Sequence, residues 1–369
     1  MRVSSLHDKL AANGAVFGGR YGIEVVSGVA GLSTEYGYIR NGAGLTDFSF
    51  MQMYSIPEDA AVTVLDELFA GNIARVRFGR MLHTFLADDD GHLIADCYIA
   101  NNDEEFIIVC ESIVSDTALH EFFERKGAFK AGLKDITGEH VLLSVDGYQA
   151  WAVIKERFGV DTLGLPYLSI EVYQFNGVDV RLFRAGKTSE FGYLVMAPKE
   201  AGEGLFDALL ASVRKHGGGL CGVSVHNDLR LEGRFFNIHA EGLSVRDPLC
   251  LGLQWMIDFD KEKFSGKEAV DKRREAGLAK KIIGIRSNAG PELFSVGSEI
   301  YNSGRPVATI EAACYSPTLD CRVGLALFPV DIAYSGLVFR LGSADGPAVA
   351  TISMPPIMPR SLTVKLDEM

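Results

Sequence analysis

Two carboxylates in this chain stand where a carboxylate needs a reason. Asp96 lies inside Leu93-Ile94-Ala95-Asp96-Cys97-Tyr98-Ile99, a strand-like and otherwise apolar stretch. A charge is expensive to bury unless it is paired, so Asp96 is either paired and functional or placed on a solvated face. Glu190 sits in Gly186-Lys187-Thr188-Ser189-Glu190-Phe191-Gly192-Tyr193, a glycine-bounded turn where exposed acids are common. Ser316-Pro317-Thr318-Leu319 reads by itself as a turn. His216, His226 and His239 lack ligand spacing and a cysteine pair, so no metal is expected. His226 reads equally as a helix-surface histidine or as a ligand contact.

The elements that must position these residues follow from caps and periodicity. Pro57 opens a helix whose apolar face is Val62, Leu65, Leu68 and Phe69. Ser115 caps a helix carrying Leu119, Phe122 and Phe123 that stops at Gly127. Asp146 precedes Trp151, Ile154 and Phe158 at helical spacing, and the segment from Lys199 to His216 repeats the pattern. Ser265 and Glu268 form an S-x-x-E capping box before a short charged helix, on whose solvated face Lys272 to Arg274 belong. Phe106 to Cys110 reads as a strand, and Asn176-Gly177 joins two more in a hairpin. Beyond about residue 280 helical patterns disappear. Segments 281–285, 299–302, 305–312 and 322–328 read as strands, which predicts an α+β body followed by a small β-barrel.

At 369 residues the chain is too long for one ordinary core, so two or three domains are expected. Hydrophobic residues make up 47% and charged residues 23%, the balance of a globular enzyme. The formal net charge of −12 repels phosphate backbones and anionic lipid, which argues against nucleic-acid or membrane partners. No run approaches the ~20 apolar residues of a membrane helix. Six scattered cysteines without a C-x-x-C pair suit a reducing, cytoplasmic location.

In order and at matching intervals, Asp96, Glu190, Leu229-Arg230-Leu231-Glu232, Phe264-Ser265-Gly266-Lys267-Glu268-Ala269 and Ser316-Pro317-Thr318-Leu319 resemble the landmarks of the glycine-cleavage T-protein. The wider family includes tetrahydrofolate-dependent demethylases. The resemblance starts near Gly44-Leu45-Thr46-Asp47 and is strongest over 222–270 and 312–329. It implies an α+β fold of three domains in a cloverleaf around a central folate channel. The first would be discontinuous (1–50 and 140–270), the second 51–139, and the third a C-terminal β-barrel (280–369). It also implies tetrahydrofolate as cofactor. Asp96 matches the family aspartate near the reacting folate nitrogens, and His83 joins it as a catalytic candidate. Glu190 matches the glutamate that accepts two pterin N–H donors, a contact suited to a carboxylate. Glu111, Tyr193, His226 and Tyr315 complete the cofactor contacts that the resemblance implies.

Departures from the T-protein pattern shape the functional expectation. The aromatic-rich opening with its Gly-Trp pair is not recognisable in Phe17-Gly18-Gly19-Arg20-Tyr21. His83 stands in place of Tyr and Glu111 in place of Asn. His226-Asn227 replaces Arg-Asp, Ile238-His239 replaces Tyr-Gly, and Asp146-Gly147-Tyr148 replaces Gln-Gly-Pro. The expectation is a divergent paralogue that moves a methyl group from a small methylated substrate to tetrahydrofolate, without a lipoyl carrier protein. An aryl methyl ether would need a proton donor, with His83 or Tyr148 as candidates, and His83 and Ile238 are expected to reshape the pocket. Glycine-cleavage aminomethyl transfer is the alternative. A non-catalytic folate-binding accessory role is a third, weakened because its signature cysteine is missing from 264–268.

Overall fold

A computed structural model describes residues 1–365 and Met369. Two sheets face each other, and strand alternation decides what each side chain sees. The six-stranded sheet has the order Ile170–Phe175, Val178–Phe183, Phe191–Pro198, His140–Gly147, Gly44–Asp47, Gly219–Leu220. Its pairs are antiparallel except the last, between Gly44–Asp47 and Gly219–Leu220. One face carries Val141, Leu143, Val145, Tyr193 and Val195 against the helices Ala150–Phe158 and Lys199–Lys215. The alternate residues Leu142, Leu194 and Met196 point at the second sheet.

That second sheet has the order Met81–Ala87, Leu93–Asn101, Glu105–Ser112, Gln52–Pro57, Lys134–Asp135. Cys97, Ile99, Phe106, Ile108 and Cys110 pack against the helices Glu58–Leu68 and Asp116–Arg125. Tyr98, Ala100, Ile107 and Val109 meet the six-stranded sheet instead. The anticipated helix after Pro57 is therefore present. So is the Ser115 cap, whose hydroxyl accepts from Ala118 N at 3.2 Å. The Asn176-Gly177 hairpin forms with both residues at positive φ, the geometry of a tight two-residue turn.

The expected C-terminal barrel is closed, with the cyclic order Lys280–Ser287, Cys321–Pro329, Arg305–Ser316, Glu299–Asn302, Val338–Leu341, Ala348–Ile352. Strands Val338–Leu341 and Ala348–Ile352 were not anticipated; each is only four or five residues long. The barrel sits on the body through one apolar core that joins Leu231, Phe236 and Leu251 to Ile282, Val323 and Leu325.

One predicted cap is corrected. The helix Lys267–Ala276 starts from Gly266 in a left-handed conformation, and no side chain caps it. The Ser265 hydroxyl is buried without a partner. A Cβ on Gly266 would meet Asp88 O at 2.4 Å and Gly91 Cα at 2.6 Å, so close packing on that turn sets the helix start. Among the helices that escaped the pattern reading are Leu32–Asn41 and Val223–Gly233, both with charged residues buried on their inner faces. Among the described residues no helix is long and apolar enough to cross a membrane.

Candidate functional site

Where the facing sheets part, a cleft with about 630 Å³ of atom-free space opens. Period-two alternation brings its polar residues together. His83, Asp96, Tyr98 and Glu111 belong to the inter-sheet face, with His83 opposite Tyr98 and Asp96 opposite Glu111 in the ladder. Asp146 comes from the other sheet, two residues beyond Ser144 and four beyond Leu142. Gly186 and Gly192 leave room for it, since a Cβ on either would lie 2.7 or 2.8 Å from Asp146 Oδ1.

Asp96 is paired, as a buried carboxylate must be. Its Oδ1 lies 2.7 Å from His83 Nε2, and its Oδ2 accepts a hydrogen bond from Lys187 Nζ. The same ammonium lies 3.5 Å from Glu111 Oε2, while His239 Nε2 lies 3.3 Å from Glu111 Oε1. The result is a continuous run from His83 through Asp96, Lys187 and Glu111 to His239. Burial alone would raise Asp96, but the Lys187 ammonium and His83 outweigh it and hold the carboxyl below its ordinary 3.8. Burial is likewise outweighed at Glu111, where Lys187 and His239 keep the group low. Burial pushes Lys187 down, yet Asp96 and Glu111 hold its ammonium above the ordinary 10.5. Lys187 is thus a permanent charge and a poor acid.

Lys187 was not singled out from the sequence, although it lies in the glycine-bounded segment that drew notice to Glu190. Only tertiary folding carries that loop across to the other sheet. Lys187, Glu111 and Tyr98 line the cleft; Asp96 and His83 lie behind them. His83 stacks on Tyr98 with ring centroids 4.5 Å apart and holds Asp96 from the far side. His83 thus stands behind the cleft lining, stacked on Tyr98 and bonded to Asp96. Tyr148 also stands outside the cleft, under the Arg360 guanidinium at 4.3 Å. Ile238 is wholly buried in the core beneath the barrel, so it does not shape the cleft wall.

The other sequence candidates divide. His226 lines the cleft from helix Val223–Gly233, tied by Nε2 to Thr46 Oγ1 at 2.8 Å. Burial lowers its pKa, so it is neutral at pH 7. Its neighbour Asn227 accepts from Arg230, which donates to both oxygens of Glu241 at 2.6 and 2.7 Å. Glu190 is turned away from the cleft. Arg40 Nη1 donates to its Oε1 at 2.7 Å, and Ser361 N and Oγ donate to its Oε2. The carboxylate has no exposed surface, so a contact between Glu190 and a ligand would require those bonds to open. The cleft-facing residue of that strand is Leu194, and Tyr193 points to the helix side with Arg184 over its ring at 4.5 Å. Tyr315 lies on the barrel, 45% exposed and bonded to Asp320, and does not line the cleft.

The Leu229-Arg230-Leu231-Glu232 and Ser316-Pro317-Thr318-Leu319 motifs are brought together in one buried network. Glu232 accepts from Tyr36 Oη at 2.8 Å, from Arg40 Nη2 at 2.6 Å and from Ser316 Oγ. Tyr36 Oη also lies 2.6 Å from Thr318 Oγ1. These contacts join the barrel to the body, and of the two motifs only Arg230 reaches the cleft lining. Asp88, Asp90 and His92 bring ligand atoms within 4.8 Å of one another, but Arg246 already donates to Asp88.

A mostly antiparallel two-sheet body, a cleft between the sheets and a closed barrel at the C-terminus together define an α+β fold. Residues 6–261 match the family of the GCVT N-terminal domain, and the chain belongs to that family. It is 29% identical over 334 residues to an aminomethyltransferase of Mycolicibacterium paratuberculosis, covering 88% of this chain and 87% of that one. A second aminomethyltransferase, from Picosynechococcus, is 27% identical over 340 residues, covering 90% and 91%. The crystal structure of glycine cleavage system aminomethyltransferase T from Bartonella henselae superposes with a TM-score of 0.82 at 20% identity, over 97% of this chain and 98% of that one. That likeness is one of fold.

Proposed function

We propose that the protein is a tetrahydrofolate-dependent one-carbon transferase that takes a methyl group from a small methylated donor. The observation that carries this reading is the run His83–Asp96–Lys187–Glu111 at the wall of the cleft, buried at His83 and Asp96 and partly exposed at Lys187 and Glu111. Within this run two ionised carboxylates flank one ammonium, and Asp96 and Glu111 favour positive charge on a donor heteroatom bound against them, as in an ammonium or sulfonium whose methyl group is already activated. Arg20 stands as a separate cation of the cleft.

The residues present suit a flat, polar-edged ring. Phe48, Phe50 and Phe236 supply apolar walls, and the buried Tyr98 hydroxyl has no hydrogen-bond partner, although the Tyr167 phenol lies close by. Glu111 and Asp146 line the same space and Glu190 does not, so they are better placed than Glu190 to meet ring N–H donors. Bound tetrahydrofolate would supply the nucleophilic nitrogen that takes the one-carbon unit. The protein's part is to hold both partners together, exclude water and fix the electrostatics. Asp96 and His83 act through Lys187, whose position they set.

A second reading, aminomethyl transfer of the glycine-cleavage type, is favoured by the aminomethyltransferase relatives. One assay separates the two: tetrahydrofolate is incubated with methylated ammonium and sulfonium donors, and in parallel with an aminomethyl-lipoyl carrier protein. Formation of 5-methyltetrahydrofolate without the carrier supports methyl transfer. Methylenetetrahydrofolate formed only with the carrier installs the second reading in its place. No folate product in either arm would sink both.

A further inference from the structure

We propose that Arg20 is the carboxylate anchor of the cleft, so that a ligand working there carries a carboxylate within its reach. The inference rests on the reading of this cleft as the one-carbon transfer site. Arg20 ends the strand Val16–Arg20, and the next two residues, Tyr21 and Gly22, make the turn into Ile23–Gly28 with φ of 49° and 84°. Tyr21 stacks on His239 with ring centroids 5.7 Å apart, which docks the hairpin against the Glu111 end of the polar run. Arg20 thereby lines both the main cleft and the small pocket beside it.

The other cations of the cleft are spoken for: Lys187 by Asp96 and Glu111, Arg230 by Glu241. Arg20 makes no hydrogen bond and no ion pair among the described residues. Glu111 feels its charge, but the Glu111 oxygens face Lys187 and His239. Asp146, the other acid of the lining, has its pKa raised by burial and is bonded to Ser144 and Thr188. A guanidinium offers five donors in a planar fork that matches a carboxylate. In a chain of net charge −12, an arginine left unpaired at a cleft wall marks a place for an external anion. The carboxylate has two possible sources, the glutamate tail of folate and the one-carbon donor itself.

Isothermal titration of the wild type, Arg20→Ala and Arg20→Lys tells them apart with two probe pairs. Tetrahydrofolate is set against 6-methyltetrahydropterin, which has the ring and no carboxylate. Trimethylglycine is set against tetramethylammonium. Arg20→Ala should weaken at least one carboxylate-bearing probe by about 30-fold and leave its carboxylate-free counterpart unchanged. Arg20→Lys should fall between, since it keeps the charge and loses the fork. A loss confined to tetrahydrofolate assigns the folate tail, and a loss confined to trimethylglycine assigns the donor. Because Arg20 has no internal partner, Arg20→Ala should keep its Tm within about 2 °C. Equal affinities in wild type and Arg20→Ala for every probe, equal weakening within both pairs, or a wild type that binds none of them would overturn the anchor. Arg20-dependent binding of trimethylglycine by a wild type that ignores tetrahydrofolate would keep the anchor and remove the folate reading.

Discussion

Lys187 shows how a single side chain can decide the electrostatics of a site. It sits between the buried Asp96 and the partly exposed Glu111, and each member holds the others in the charged state. Asp96 and Glu111 have depressed pKa values in the folded protein. Their stabilising contribution is therefore present above the ordinary carboxylate range and fades as pH falls through the folded values. Lys187→Met would leave the buried Asp96 and the partly exposed Glu111 without their main partner and should cost about 3 kcal/mol at pH 7. That deficit should shrink as pH falls toward about 3.5, because burial without Lys187 makes the orphaned carboxylates take up protons above their ordinary range. Urea titrations of both proteins at pH 7 and pH 3.5 measure it. A deficit that stays constant with pH would mean that lost packing, and not lost charge, is responsible.

At the scale of elements, helix Val223–Gly233 serves two masters. It sends His226 toward the cleft and Glu232 toward the barrel. Asp228 lies between them, and burial together with the nearby Glu232 pushes its carboxyl up to about 7. For a raised carboxyl the folded state holds its proton longer than the unfolded state, so stability falls as pH climbs from about 4 to about 7. Asp228→Asn removes this penalty. The variant should match the wild type in Tm at pH 4 and exceed it by several degrees at pH 8, in scans at the two pH values. A partly solvated aspartate is screened, so the gain should be well short of what a fully buried group would give. Equal Tm values at both pH values would show that Asp228 titrates normally.

Across the whole molecule, the Tyr36–Arg40–Glu190–Glu232–Ser316 network links four regions distant in the chain. Arg40 bridges two buried glutamates, one reaching Ser361 near the C-terminus and the other reaching the barrel turn. Glu232→Ala removes one of the two carboxylates that Arg40 bridges and an acceptor of Tyr36 and Ser316, and should destabilise by about 3 kcal/mol. It should also make the 316–320 turn a site of rapid proteolysis. Denaturant unfolding and a timed digest read the two effects. A stable, protease-resistant Glu232→Ala would show that the apolar core under the barrel suffices to hold it.

Much of the fold was legible because local rules carry it. The Ser115 cap, the Asn176-Gly177 turn and the strands after residue 280 each follow from residue type and spacing. Ser265 misled because a capping box is a local signal, whereas Gly266 obeys a tertiary contact with Asp88 and Gly91. Asp96 was legible as a carboxylate in an apolar strand, and its pairing answered why it is there. What the linear order could not reveal is which acids share a face across two sheets and which are spent on holding the molecule together. Sequence alone determined the α+β body, the barrel and a buried acid with a reason to exist. Tertiary structure alone decided that Lys187 covers Asp96, that Glu190 is bound to Arg40 and Ser361, and that Arg20 is left free. Those outcomes depend on contacts between segments far apart in the chain, where neither propensity nor period has reach.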